Sequence, residues 1–266
     1  MSGKVAIIQF PGSNCERESL HALEACGISA EIIRWNASAK QLSSYQGYLL
    51  PGGFSYQDRV RAGAITSKLP IMETLLEANL ALKPILGICN GCQILAESGL
   101  VPDLSGNQNL EMVLTHNENK GNQIGFICDW QFVTVKNPKQ SLFTSYLEEN
   151  TVIPIPVNHG EGQFRFKATE KEKLNDHSII EYCTPSGEAP KEFPENPNNS
   201  QWNMAGISNQ KGNVFAMMPH PERAFLLKQI PSSLANEWGK RKQNPNEVEN
   251  KGPWHPFFMG LKKAVS

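Results

Sequence analysis

Apolar residues in the first hundred positions gather in short runs that end at glycine, separated by stretches in which they recur at helical spacing. Residues 4–10 (KVAIIQF) stop at Pro11-Gly12 and predict the first strand of a buried sheet. Ser13 or Asn14 can cap a helix over about 16–25, which Gly27 closes. Residues 30–35 (AEIIRW) and 47–50 (GYLL) read as the second and third strands, the latter running into Pro51-Gly52-Gly53. Helical periodicity over about 68–82 precedes a fourth strand at 84–88, and a further helix runs to Gly99. This alternation predicts an α/β fold with a doubly wound, mostly parallel, flavodoxin-like sheet. Ligands of such sheets gather at the carboxyl ends of strands. Three glycine-marked ends fall there, at Gly12, at Gly52-Gly53 and at Gly87-Ile88-Cys89.

The pattern changes after Gly106. Residues 111–114, 124–135, 151–157 and 179–183 predict short strands joined by polar turns, and 209–213 predicts a hairpin turn between strands at 204–207 and 214–218. These are expected to be antiparallel additions to the same sheet within one domain, 1–266, whose core covers about 4–227. Residues 184–201, with four prolines, predict a surface loop. Residues 228–252 are polar and predict a mobile excursion, and 254–265 (WHPFFMGLKKAV) predict a last helix that docks back through an apolar face.

Composition narrows the classes. The formal net charge is −1 with no basic stripe, which argues against nucleic acid as a partner. No apolar run has the length of a membrane span, and residues 1–10 show no charged leader or cleavage site, so a cytoplasmic protein with no membrane partner is expected. Cys15, Cys26, Cys89, Cys92, Cys128 and Cys183 are scattered, as free thiols are in a reducing compartment.

Chemistry enters at Cys89, on the turn between a strand and a helix, beside the positive end of a helix dipole that favours thiolate. His220 ends an apolar strand, and Glu222 follows two residues on, a spacing that in extended backbone places both side chains on one face. Together Cys89, His220 and Glu222 make a nucleophile, a base and a group that orients the base. The amides of Gly53 and Asn90 are placed to hold a developing oxyanion.

Six stretches then carry a resemblance. They are Pro11-Gly12-Ser13-Asn14-Cys15, Pro51 to Tyr56 (PGGFSY), Arg61 to Ile65 (RAGAI), Gly87 to Gly91 (GICNG), Asn158 to Gly162 (NHGEG), and Gly212 to Arg223, which ends in MMPHPER. From residue 5 to about 225 the chain resembles the class I, triad-type glutamine amidotransferases, and among them the glutaminase subunits of phosphoribosylformylglycinamidine synthases. The resemblance implies that Cys89 attacks the side-chain amide of glutamine, that His220 moves the proton and that Glu222 orients His220. It implies that Gln93, Asn158, His159, Gly160 and Glu161 line the glutamine pocket. Ammonia would pass to a larger ATP-dependent synthetase subunit, joined by a small accessory subunit. The chain has no phosphate-binding loop, so no cofactor or metal is expected on it, and ATP and Mg are expected on the partner.

Two positions depart from the family pattern. Gln57 stands where the family usually has glycine, so a turn needing positive φ there would be strained. Cys92 stands where it usually has phenylalanine and creates Cys89-x-x-Cys92, which leaves a thiol oxidoreductase as an alternative. The glutaminase subunit of another synthetase is the nearer alternative.

Overall fold

A computed structural model describes residues 3–167, 171–234, 236–244 and 250–266. β1 (Lys4–Gln9) has Val5, Ala6, Ile7 and Ile8 fully buried, because a parallel strand covered on both faces needs apolar side chains at successive positions. α1 (Glu16–Ala25) leads to β2 (Ser29–Arg34), and α2 (Ala39–Ser43), which the pattern did not signal, leads to β3 (Gly47–Leu50). α3 (Ile71–Leu80) is shorter than the periodicity predicts. Pro70 occupies its N-cap, and a 3-10 turn, Thr66–Lys68, takes the residues before it. β4 (Ile85–Ile88) and α4 (Asn90–Glu97) follow.

The second half supplies β5 (Met112–Thr115), β6 (Glu118–Asn119), β7 (Asn122–Gln123), β8 (Ile127–Lys136), β9 (Ile153–His159), β10 (Gln163–Phe166), β11 (Ile179–Cys183), β12 (Met204–Ser208) and β13 (Val214–Met217). The main sheet has nine strands in the order β2-β1-β3-β4-β13-β12-β11-β8-β9. The five strands from β2 to β13 are parallel, and the four beyond β13 are joined antiparallel, as expected. The strand predicted at 111–114 departs from expectation: β5 pairs with the unpredicted β10 in a separate two-stranded sheet.

The antiparallel half also curls. β9 lies at the far end of the strand order, yet the His220 N–H, just past β13, donates to the Pro156 carbonyl in β9 at 2.9 Å. Strand twist accumulated over this half brings β9 back beside β13. The carboxyl ends of β1, β3, β4, β13 and β9 therefore surround one space.

Two helices close the chain. α5 (Glu237–Gln243), capped by Asn236 Oδ1 accepting from Gly239 N at 3.1 Å, lies in the predicted polar excursion, so its described part is folded. Residues 235 and 245–249 of that excursion lie outside the described residues. α6 (His255–Ala264) docks as predicted, with Trp254, Phe257, Phe258 and Leu261 fully buried and the Trp254 indole N–H on the Pro154 carbonyl at 2.9 Å.

Candidate active site

Cys89 sits between β4 and α4 with φ 53° and ψ −106°, a conformation that costs a non-glycine residue roughly 1–3 kcal/mol. Neighbouring contacts hold it there. The Cys89 N–H donates to the Met217 carbonyl at 2.8 Å, tying the turn to the end of β13. Gly91 lets α4 start directly on β3, since a Cβ at that position would lie 2.0 Å from the Leu50 carbonyl oxygen. The chain must therefore turn sharply at Cys89, which lifts its side chain out of the sheet at the amino end of α4.

His220 follows β13, but its pairing with Glu222 has a different origin from the extended geometry expected. Pro221–Arg223 form a 3-10 turn, and the turn swings Glu222 back under the ring. His220 Nδ1 and Glu222 Oε1 lie 2.5 Å apart, and both residues are 1% exposed. Burial opposes a charge on the imidazole. Glu222, and after it the sulfur of Cys89, outweigh that and push the His220 pKa up to about 10. With Nδ1 committed to Glu222, Nε2 is the ring atom left for Cys89. Cys89, His220 and Cys15 converge across Gly52. A Cβ placed there would stand 3.0 Å from His220 Cε1, 3.4 Å from Cys89 Cβ and 3.0 Å from Cys15 Sγ.

Gly53 adopts φ 147° and is packed so closely that a Cβ would lie 2.7 Å from the Ser13 Cα, so only glycine fits. Its N–H makes no hydrogen bond among the described residues, and the N–H of Asn90, at the first position of α4, has no acceptor within the helix. Both predicted oxyanion donors are thus amides without a hydrogen-bond acceptor among the described residues.

A cavity of about 180 Å³ opens at Cys89. Gly53, Gln93, Asn158, His159, Gly160 and Glu161 line it, so every predicted pocket residue is there. The Cys89 thiol points to the Asn158 carbonyl at 3.7 Å. Asn90 buries its side chain beneath the cavity, accepting from Ser55 N at 3.1 Å and donating to Gln93 Oε1 at 2.9 Å. The Gln93 amide in turn donates to the Glu161 carbonyl at 2.7 Å. His159 is fully enclosed; burial first, and then the positive His220, push its pKa down to about 3, so it is a neutral wall residue.

Behind the triad, Cys15, Glu18, His220 and Glu222 bring potential ligand atoms within 4.8 Å of one another. Arg223 already supplies positive charge to this group, at 3.4 Å from Cys15 Sγ and 2.8 Å from Glu18 Oε1. Burial and the nearby Glu222 push the Cys15 thiol well up, which keeps it protonated. Cys92 is fully buried and its thiol is likewise raised, first by burial and then by Cys89. An enclosed, protonated Cys92 suits core packing rather than thiol exchange.

Residues 2–263 match the family described as CobB/CobQ-like glutamine amidotransferase domain. The chain belongs to this family. Among its relatives, phosphoribosylformylglycinamidine synthase subunit PurQ of Methanothrix thermoacetophila is 42% identical over 270 residues, covering 98% of each chain. The protein of the same name from Methanopyrus kandleri is 38% identical over 221 residues, covering 83% of this chain and 89% of that one. The solved structure of PurLQS from Thermotoga maritima contains a chain that superposes with a TM-score of 0.72 at 28% identity, over the whole of both chains. A glutamine amidotransferase of Thermotoga maritima at 16% identity and a TM-score of 0.54, covering 100% of this chain and 99% of that one, shares the fold alone.

Within this amidotransferase site the sequence reading missed several cavity residues. Phe54, Asp58, His116, Gln123 and Phe126 also line the space. The approach of Asp58 and His116 to the cavity depends on β5 and on a loop whose path no periodicity encodes. His116 Nδ1 lies 3.4 Å from Glu161 Oε1. Arg61 has a partner that spacing could not disclose: its guanidinium forks onto Glu97 of α4 at 2.6 Å through two nitrogens. It braces the loop against α4.

Proposed function

We infer that this protein is the glutaminase subunit of a phosphoribosylformylglycinamidine synthase. What carries the assignment is full-length similarity to proteins of that name, in a chain whose cysteine, histidine and glutamate meet beside a small polar cavity. In this reading the Cys89 sulfur attacks the side-chain carbonyl carbon of glutamine. His220, held protonated by Glu222, stabilises the thiolate and then gives its proton to the departing ammonia. The Gly53 and Asn90 amides hold the oxygen of the tetrahedral intermediate, an interaction worth about a hundred- to a thousandfold in rate per donor. Loss of ammonia leaves a γ-glutamyl thioester on Cys89. Water, deprotonated by the now neutral His220, cleaves it to glutamate and restores the resting pair.

Ammonia goes to a larger synthetase subunit that holds ATP and Mg and amidates formylglycinamide ribonucleotide, with a small accessory subunit completing the complex. In this reading the protein works in the cytoplasm; among the described residues no helix is long and apolar enough to cross a membrane. The test is to isolate the native complex and assay it for glutamine- and ATP-dependent conversion of formylglycinamide ribonucleotide. The expected result is turnover that Cys89→Ser abolishes with glutamine and leaves intact with free ammonia. Turnover of a different acceptor would instead assign the chain to another synthetase.

A further inference from the structure

Glu222 shares its 3-10 turn with an arginine. Pro221–Arg223 is a single short turn, so Glu222 and Arg223 are neighbours in sequence and in space. His220 Nδ1 lies 2.5 Å from Glu222 Oε1, whereas Glu222 Oε2 is buried with no hydrogen-bond partner among the described residues. A buried carboxylate oxygen without a donor is costly, and a guanidinium is its strongest partner. Arg223 stands beside it and is directed elsewhere. Its Nε and Nη2 both donate to Glu18 Oε1, at 3.1 and 2.8 Å, and Nη2 lies 3.4 Å from the Cys15 sulfur.

Glu18 comes from α1, which packs on this turn. Potential ligand atoms of Cys15, Glu18, His220 and Glu222 all lie within 4.8 Å of one another, so two carboxylates compete for one guanidinium. Burial opposes the charge on Arg223; Glu18, and after it Glu222, outweigh that and push the guanidinium's pKa up. Glu18 and Arg223 are each about two-thirds buried, and neither lines the cavity at Cys89. A second cation on Glu222 would draw charge away from Oε1 and loosen its hold on the imidazole.

We propose that Glu18 is a positioning residue that sequesters Arg223: by holding the guanidinium on α1, it keeps Glu222 for His220 alone. The inference rests on the glutaminase reading and extends it to residues outside the cavity. Without Glu18 the guanidinium turns to the open Oε2. Glu222 then divides its charge between Arg223 and His220, and the imidazole is both less firmly oriented and a weaker base.

The experiment measures ammonia release from glutamine by the complete complex carrying Glu18→Ala, Arg223→Ala or both. Glu18→Ala is expected to lower kcat about tenfold to a hundredfold, part of what a correctly held acid–base group contributes, with KM changed less than about twofold. Arg223→Ala is expected to lower kcat less than about threefold, because no guanidinium is then left to compete for Glu222. The double variant is expected to recover to the level of Arg223→Ala. Such a recovery does not come from folding, since the double variant lacks every contact that Glu18→Ala lacks and more. A bridge that only clamps α1 to the turn gives equal losses in all three variants. That result overturns the proposal, as does a double variant no more active than Glu18→Ala, or a larger loss in Arg223→Ala than in Glu18→Ala. A wild-type complex that releases no ammonia from glutamine overturns the glutaminase reading, and the role of Glu18 with it.

Discussion

His220 and Glu222 show how far one buried pair can move a side chain's chemistry. An imidazole taken out of water ordinarily loses its proton, as His159 does at the wall of the same cavity. His220 keeps its proton because a carboxylate lies 2.5 Å from Nδ1 and a sulfur shares its other side. Glu222→Gln removes that charge while keeping the shape. Glutamine hydrolysis is expected to drop about a hundred- to ten-thousandfold. The pH at which His220 deprotonates, followed by imidazole NMR, is expected to move down from about 10. An unaltered titration would show that something other than Glu222 holds the proton.

Among the elements, the loop from Gly52 to Gly63 is where local preference and tertiary demand conflict. Gln57 was expected to be strained as a departure from glycine, and its φ of 61° lies in the left-handed region. Its compensation is small, a pair of exposed hydrogen bonds to Arg59 at 3.0 and 3.3 Å. Gln57→Gly removes the steric cost of a side chain in this region, so a gain in stability of up to about 1 kcal/mol is expected. Chemical denaturation measures it; a loss of stability would mean that Arg59 fixes the loop more strongly than its exposure implies. The same loop leaves Phe54 45% and Val60 92% exposed, while Phe126, 53% exposed, comes up from β8's approach to meet Phe54 at 6.3 Å between ring centroids. An apolar rim around a catalytic mouth fits the covered surface of a subunit that passes ammonia onward. Val60→Glu is expected to weaken co-purification with the synthetase subunit at least tenfold without changing iodoacetamide labelling of Cys89. Equal recovery would place the interface elsewhere.

Across the whole molecule the two buried histidines set opposite pH limits. His159, at about 3 against an ordinary 6.5, excludes a proton that the unfolded chain binds. Its contribution to stability is therefore full above pH 6.5 and declines as pH falls towards 3. His220, raised to about 10, holds a proton that the unfolded chain releases, so its contribution is full below 6.5 and is lost as pH rises through 10. The limiting slope is about 1.4 kcal/mol per pH unit on each side. Stability is expected to peak near pH 6.5, and thermal melts between pH 4 and 9 check this. In His159→Asn the acid limb should flatten, and a limb unaffected by that change would assign it to the carboxylates.

The alternation of apolar runs and helical stretches was enough to determine the parallel half of the sheet, because strands buried on both faces and helices with one apolar face leave a periodic trace. It was enough, too, for Cys89 at a strand–helix turn and for a histidine and glutamate two residues apart. The closing of that pair was decided by a 3-10 turn over Pro221–Arg223, and its meeting with Cys89 by the parallel pairing of β13 with β4, which sets Met217 beside Ile88. Asp58, His116 and the Arg61–Glu97 brace depend on contacts between segments far apart in the chain. Periodicity reports which face of an element is buried; it carries no information about which buried faces meet, and the polar end of the cavity is made entirely of such meetings.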